Sequence, residues 1–107
     1  MNSSYLYVIG PANGNIKIGY SEDPESRLGQ LQTGNDQTLI LHYTAEADPA
    51  KVQVLEKIIH RQLRHLKIRG EWFKLTAEEA QKEIDFAIIT YSEVDNLERK
   101  FKMKLLR

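Results

Sequence analysis

The residues able to do chemistry are few, and their spacing is informative. Tyr7, Lys17 and Gly19 fall in two short β-type runs, and Arg27 follows directly after them. Glu56 and His60 stand four residues apart in a helical stretch, hence as neighbours on one helix face. A phenol, an ammonium, a guanidinium and a carboxylate are a sufficient set for cutting a phosphodiester. A carboxylate holds Mg2+ or Mn2+ through oxygen, and arginine clamps phosphate oxygens with a bidentate fork. A phenol, with an ordinary pKa near ~10, acts as a base at neutral pH only with help. A close ammonium and a metal both favour the phenolate. Taken singly, each residue has a plainer reading. Tyr7 suits strand packing, Lys17 suits edge protection, and Glu56 with Lys57 or His60 suits a surface pair worth under about 1 kcal/mol. Trp72 and Phe73 read as core.

Local patterns then supply the elements that must position these groups. Residues 5–10 and 15–21 are rich in β-branched and aromatic types and read as strands, joined by turn chemistry at Pro11-Ala12-Asn13-Gly14. A loop that places Gly14 in a left-handed conformation pairs Val8 with Ile18 and Tyr7 with Gly19. That register sorts the hairpin by face: Leu6, Val8, Ile16, Ile18 and Tyr20 on one side, and Tyr5, Tyr7, Ile9, Lys17, Gly19 and Ser21 on an open side. Asp23-Pro24 reads as an N-cap and first helical position, opening a helix to about Gln32 that buries Leu28 and Leu31. Residues 38–45 form a third strand. From Pro49 to Leu66 an apolar stripe of Val52, Leu55, Ile59, Leu63 and Leu66 predicts a helix that Gly70 breaks. Residues 71–75 are a short extended piece. Thr76-Ala77-Glu78-Glu79 is a capping box for a last helix, to about Tyr91 and onward from Glu93 toward Leu106. Antiparallel pairing in the order ββαβαβα is an α+β fold.

The chain has 107 residues, one domain's worth, with a hydrophobic fraction of 41%. Fifteen Lys and Arg cancel fifteen Asp and Glu, which excludes a generic basic nucleic-acid coat. The neutrality is an average over unlike parts. Residues 1–50 hold two basic and six acidic residues, a net of −4, whereas residues 51–74 hold seven basic and two acidic, a net of +5. Lys57, Arg61 and Arg64 in the basic stretch are candidate DNA-backbone contacts, and the neutral total predicts weak non-specific binding that fades at moderate salt. With no cysteine, disulfides and thiolate metal sites are excluded. His42, His60 and His65 are too few and scattered for structural zinc. There is neither a signal-peptide pattern nor an apolar run long enough to span a bilayer, so an intracellular location, cytoplasmic or nuclear, with no membrane partner is expected. Arg99 to Arg107 interleaves basic and apolar residues. That pattern suits contact with DNA, with a membrane surface or with a second copy in a homodimer, beside the plainer reading of a solvated helix end.

As a set, the spaced blocks resemble the GIY-YIG nuclease superfamily, in its branch of phage open-reading-frame-172-type DNA-binding domains. The blocks are Tyr5-Leu6-Tyr7-Val8-Ile9, Lys17-Ile18-Gly19-Tyr20-Ser21, Pro24-Glu25-Ser26-Arg27, Leu31 to Asn35, Glu56 to His60 and Gly70 to Phe73. The resemblance covers roughly residues 5–85. It implies a three-stranded antiparallel sheet flanked by helices, a nuclease domain at 1–90 with 91–107 as a helical extension, and a single divalent metal, Mg2+ or Mn2+. It implies DNA as partner and phosphodiester hydrolysis as activity, with Tyr7, Lys17, Arg27 and Glu56 catalytic and Glu56 the metal ligand. Gly19, Tyr20 and His60 would support them, His60 as a second-layer or phosphate contact. Lys17 stands where the family name has a tyrosine, Tyr5-Leu6-Tyr7 replaces the literal first triplet, and the closing asparagine of homing-type members has no counterpart, Trp72 occupying about that region. Those departures motivate an alternative, a DNA-binding module of weak or no catalysis. A protein-interaction domain on the same scaffold is a third reading.

Overall fold

A computed structural model describes residues 3–105, with backbone only for 94–96 and 103–105. Leu106 and Arg107, the end of the expected extension, lie outside the described residues. The elements are β1 (Ser4–Gly10), β2 (Ile16–Ser21), α1 (Pro24–Gln32), β3 (Ile40–Ala47), α2 (Val52–Gln62), a 3-10 turn (Arg64–Leu66), β4 (Lys67–Arg69), β5 (Trp72–Phe73) and α3 (Ala77–Leu105). The strands form one antiparallel sheet in the order β3-β1-β2-β5-β4. The class is α+β as expected, but the sheet has five strands rather than three. The two extra strands are three and two residues long, too short to leave a period-2 pattern in the sequence.

The β1–β2 register sets Tyr7 opposite Gly19 and Val8 opposite Ile18, as face sorting predicts, and Gly14 takes a positive φ of 138°. One side of the sheet, with Leu6, Val8, Ile16 and Ile18, is sealed by Val52, Leu55 and Ile59 of α2 and by Ala80 and Ile84 of α3. The other side is not open. Tyr7 and Ile9 are fully buried there with Leu39, under Leu28 and Leu31 of α1 and beside Leu41 and Trp72. The result is a three-layer arrangement, α1 on one face and α2 with α3 on the other, so β1 is buried on both faces from Leu6 to Gly10. The apolar run Leu6-Tyr7-Val8-Ile9, which does not alternate, is the sequence counterpart of a strand covered on both sides.

Capping fixes the helices. The Asp23 carboxylate accepts from Ser26 N at 3.1 Å and Pro24 opens α1. In α3, Thr76 Oγ1 accepts from Glu79 N at 3.1 Å, and Glu79 Oε1 accepts from Thr76 N at 3.0 Å, a complete capping box. Helix α2 begins at Val52 rather than Pro49, because Asp48 first closes a turn through its carbonyl, which accepts from Lys51 N and Val52 N. It ends at Gln62 rather than Leu66. The chain tightens to 3-10 geometry through Leu66 N to Leu63 O, and Leu66 O accepts from Lys74 N, which turns the following residues into β4. Helix α3 is continuous over 29 residues, about 43 Å, and leaves Phe86, Ile89, Leu97 and Phe101 exposed. No helix among the described residues is long and apolar enough to cross a membrane.

One polar contact ties α3 to the sheet. Tyr43 of β3 donates its hydroxyl to the Asp85 carboxylate. That bond is the main reason the Tyr43 pKa is pushed up to about 12. Replacing Tyr43 with phenylalanine keeps the ring and leaves the half-buried carboxylate without its donor. The expected cost is about 1–2 kcal/mol in urea unfolding at neutral pH.

Candidate functional site

The site forms where the sheet runs out of strand. β5 pairs with β2 only at Ile16 and Lys17, so among the described residues no strand covers this edge of β2 from Ile18 to Ser21. Its backbone groups are met individually instead. Ile18 N donates to Glu71 O at 3.1 Å, and Tyr20 N donates to the Glu56 carboxylate. One helical turn after Glu56, His60 Nε2 donates to Ile18 O at 2.9 Å, and its ring meets Phe73 edge-on at 4.9 Å. Glu56 and His60 thus grip one strand edge from one helix face, as their four-residue spacing allows. His60 has its Nε2 committed to a backbone carbonyl. That bond holds α2 against β2, one helical turn from Glu56.

On the other side of the strand, Lys17 and Gly19 point toward α1. Lys17 Nζ lies 2.7 Å from Glu71 Oε1, nearly buried at 9% side-chain exposure against 35% for the carboxylate. Its ammonium also stands 5.9 Å from the centre of the Trp72 ring. Gly19 lies so close to the Tyr7 ring that a Cβ there would come within 2.6 Å of Cζ and 3.2 Å of Glu71 Oε1. Arg27, on the first turns of α1, hydrogen-bonds the Tyr7 phenol and donates to Gln30 at 3.1 Å. Tyr7, Lys17, Arg27 and Glu56 therefore converge as a group. The cation on the phenol is Arg27, while Lys17 is committed to Glu71.

The electrostatics follow from burial and from the two carboxylates. Desolvation, first of all, raises the Tyr7 pKa above its usual value, and the charge of Glu71 adds to it; the Arg27 hydrogen bond opposes both. The Glu56 pKa is pushed up to about 7, chiefly by burial and next by Glu71, against the pull of Lys17, the Tyr20 N–H and Lys57. A half-buried carboxylate beside another like charge is a site that gains from a cation. Glu56 and Glu71 offer hard oxygen donors, the kind Mg2+ and Mn2+ take. Among the described residues no three or more His, Cys, Asp or Glu side chains converge. An ion here would keep open positions for water and phosphate, as Mg2+ usually does.

Of the remaining expected residues, Lys57, Arg61 and Arg64 are all exposed. Lys57 sits close enough to Glu56 to lower its pKa. Tyr20 is 39% exposed and contributes its backbone rather than its ring. Glu71 has no role in the local sequence pattern, yet it contacts Lys17 and influences both Tyr7 and Glu56. A trace of it was visible: in the basic segment 51–74 the two acidic residues are Glu56 and Glu71.

Among curated proteins and solved structures, none matches the chain. The profile of the T5orf172 domain matches residues 4–88, from the first strand into α3 and across every residue of the site. With that match over most of its length, the chain belongs to the T5orf172 domain family, a phage open-reading-frame-172-type domain associated with the GIY-YIG-like fold.

Proposed function

We propose that the protein is a metal-dependent DNA endonuclease. The observation that carries this reading is the convergence of Tyr7, Arg27, Lys17 and two carboxylates at one open strand edge. Glu56, with Glu71 beside it, would hold a Mg2+ or Mn2+ ion, which when bound supplies Lewis-acid stabilisation of phosphate charge. The chain's own groups do the rest. Arg27 holds the Tyr7 oxygen and opposes the burial that raises its pKa; once deprotonated, Tyr7 would take a proton from the attacking water at Oη. The same guanidinium is placed to neutralise charge building on phosphate oxygens. Glu71 fixes the Lys17 ammonium in an oriented position, adding positive field without a search through rotamers. Lys57, Arg61 and Arg64 form an exposed basic face for the DNA backbone, which positions the substrate without reading sequence.

The test is plasmid nicking in Mg2+ or Mn2+, wild type against Glu56→Ala. The expected result is nicking by the wild type and loss of at least about a hundredfold in the variant. Equal activity in the two, or none in either over a range of DNAs, overturns the reading.

A specific observation favours a second reading, a DNA-binding module without hydrolysis. The raised pKa of Tyr7 keeps its proton in place at neutral pH, and Lys17 is already neutralised by Glu71. That reading predicts salt-sensitive DNA binding that needs no metal and survives Glu56→Ala.

A further inference from the structure

A concave cavity of about 630 Å3 lies beside Trp72 and outside the site just described. Separate parts of the chain build it. The β1–β2 turn contributes Asn13 and Asn15, the loop after α1 contributes Asn35 and Gln37, β4 contributes Arg69, and β5 contributes Trp72. Four carboxamides, one guanidinium and one indole meet there, and none of the lining residues is acidic.

The walls are set before any ligand arrives. Gln32, on the last turn of α1, holds the loop with both ends of its amide. Its Nε2 donates to Asn35 O at 3.2 Å and to Gln37 O at 2.9 Å, and its Oε1 accepts from Leu39 N at 2.8 Å. Asn35 Oδ1 then accepts from Gln37 N at 3.0 Å. On the opposite wall, His42 Nε2 lies 3.1 Å from both Gly10 O and Pro11 O at the start of the turn. Trp72 joins the cavity to the candidate active site, because the Lys17 ammonium stands 5.9 Å from its ring centre.

We infer that this cavity binds one unstacked nucleotide of a DNA strand, its base against Trp72 and its phosphate toward Arg69, next to the bond to be cut. Each part of the lining has a counterpart in a nucleotide. Carboxamides offer a donor and an acceptor side by side, as base edges do. A guanidinium suits a phosphate, and no carboxylate in the lining repels one. An indole suits the π-face of any base. The volume is in the range of small-ligand sites. An intact duplex keeps its bases stacked, so the cavity selects DNA with an unpaired nucleotide: a single strand, a flap or a junction. The inference rests on the reading that the chain works on DNA, and it holds whether or not that DNA is cleaved.

Trp72 is the chain's one tryptophan, so the emission of the chain comes from an indole that lines this cavity. The experiment titrates the full chain, in EDTA, with a single-stranded oligothymidylate and with a blunt duplex of equal length. The single strand is expected to quench Trp72 and the duplex to quench it far less. The double variant Asn13→Ala/Arg69→Ala, both exposed positions, is expected to weaken single-strand binding by at least about tenfold. No quenching by the single strand, equal quenching by the duplex, or an undiminished affinity in the double variant each overturns the inference. Quenching without plasmid nicking would uphold the cavity and overturn the nuclease; nicking with no quenching would do the reverse.

Discussion

Replacing Gly19 with alanine is expected to lower nicking by at least about a hundredfold while leaving the protein folded but less stable. Gly19 sits directly opposite Tyr7 in the β1–β2 register, and no side chain separates its Cα from the phenol. An added Cβ would lie 2.6 Å from Tyr7 Cζ and 3.2 Å from Glu71 Oε1. The phenol cannot simply swing away, because Tyr7 is 1% exposed and packed with Ile9 and Leu39 under α1. Either the ring shifts and breaks its bond to Arg27, or the two strands part. Overpacking of this kind costs about 1–3 kcal/mol. Displacing a reacting group by roughly 1 Å costs on the order of a hundredfold in rate. The measurement pairs nicking rates with urea unfolding. A Gly19→Ala protein that nicks at close to the wild-type rate would show that Tyr7 is not where the chemistry happens. Alanine tolerated without any loss of stability would contradict the close approach itself.

That contact was readable from sequence because it depends on local information. Two adjacent strands and a turn fix the register, and the register pairs Tyr7 with Gly19. The helix starts were readable for the same reason: Asp23-Pro24 and Thr76 to Glu79 carry their caps within four residues. Features set by distant pairing were not. Glu71 reaches Lys17 only because a two-residue strand docks on β2, and nothing in its neighbourhood shows that partner. The burial of Lys17 and Tyr7 was hidden likewise. Their strand face reads as open until the loop ending at Leu39 brings a second apolar cluster against it. Arg27, read as a phosphate clamp, proves also to be the phenol's partner, a pairing that depends on how α1 folds back across the sheet. The stripe of α2 was clear, but the residue where it stops was not. That end is decided by Lys74, which takes the Leu66 carbonyl from the far side of Gly70.

Glu56→Gln is expected to make the metal-free protein more stable than wild type at pH 8, and no more stable near pH 4.5. The Glu56 pKa is raised from its ordinary value of 4.5 to about 7, first by burial and then by the nearby charge of Glu71. Between those two values the folded chain keeps a proton that the unfolded chain has released. Stability therefore falls as pH rises through this window, and the full cost is present above pH 7. A shift of that size corresponds to at most about 3 kcal/mol, and the partial exposure of the carboxylate reduces it to about 1–2 kcal/mol. Glutamine keeps an oxygen for the Tyr20 N–H and removes the charge. The measurement is urea unfolding in EDTA at both pH values. Adding Mg2+ should then stabilise the wild type at pH 8 and leave Glu56→Gln unchanged, since only the carboxylate gains from a cation. A group that costs stability until its partner arrives is what a functional site retains and a structural one does not. A glutamine variant less stable than wild type at pH 8 would make Glu56 a structural residue and remove the carboxylate on which the nuclease reading depends.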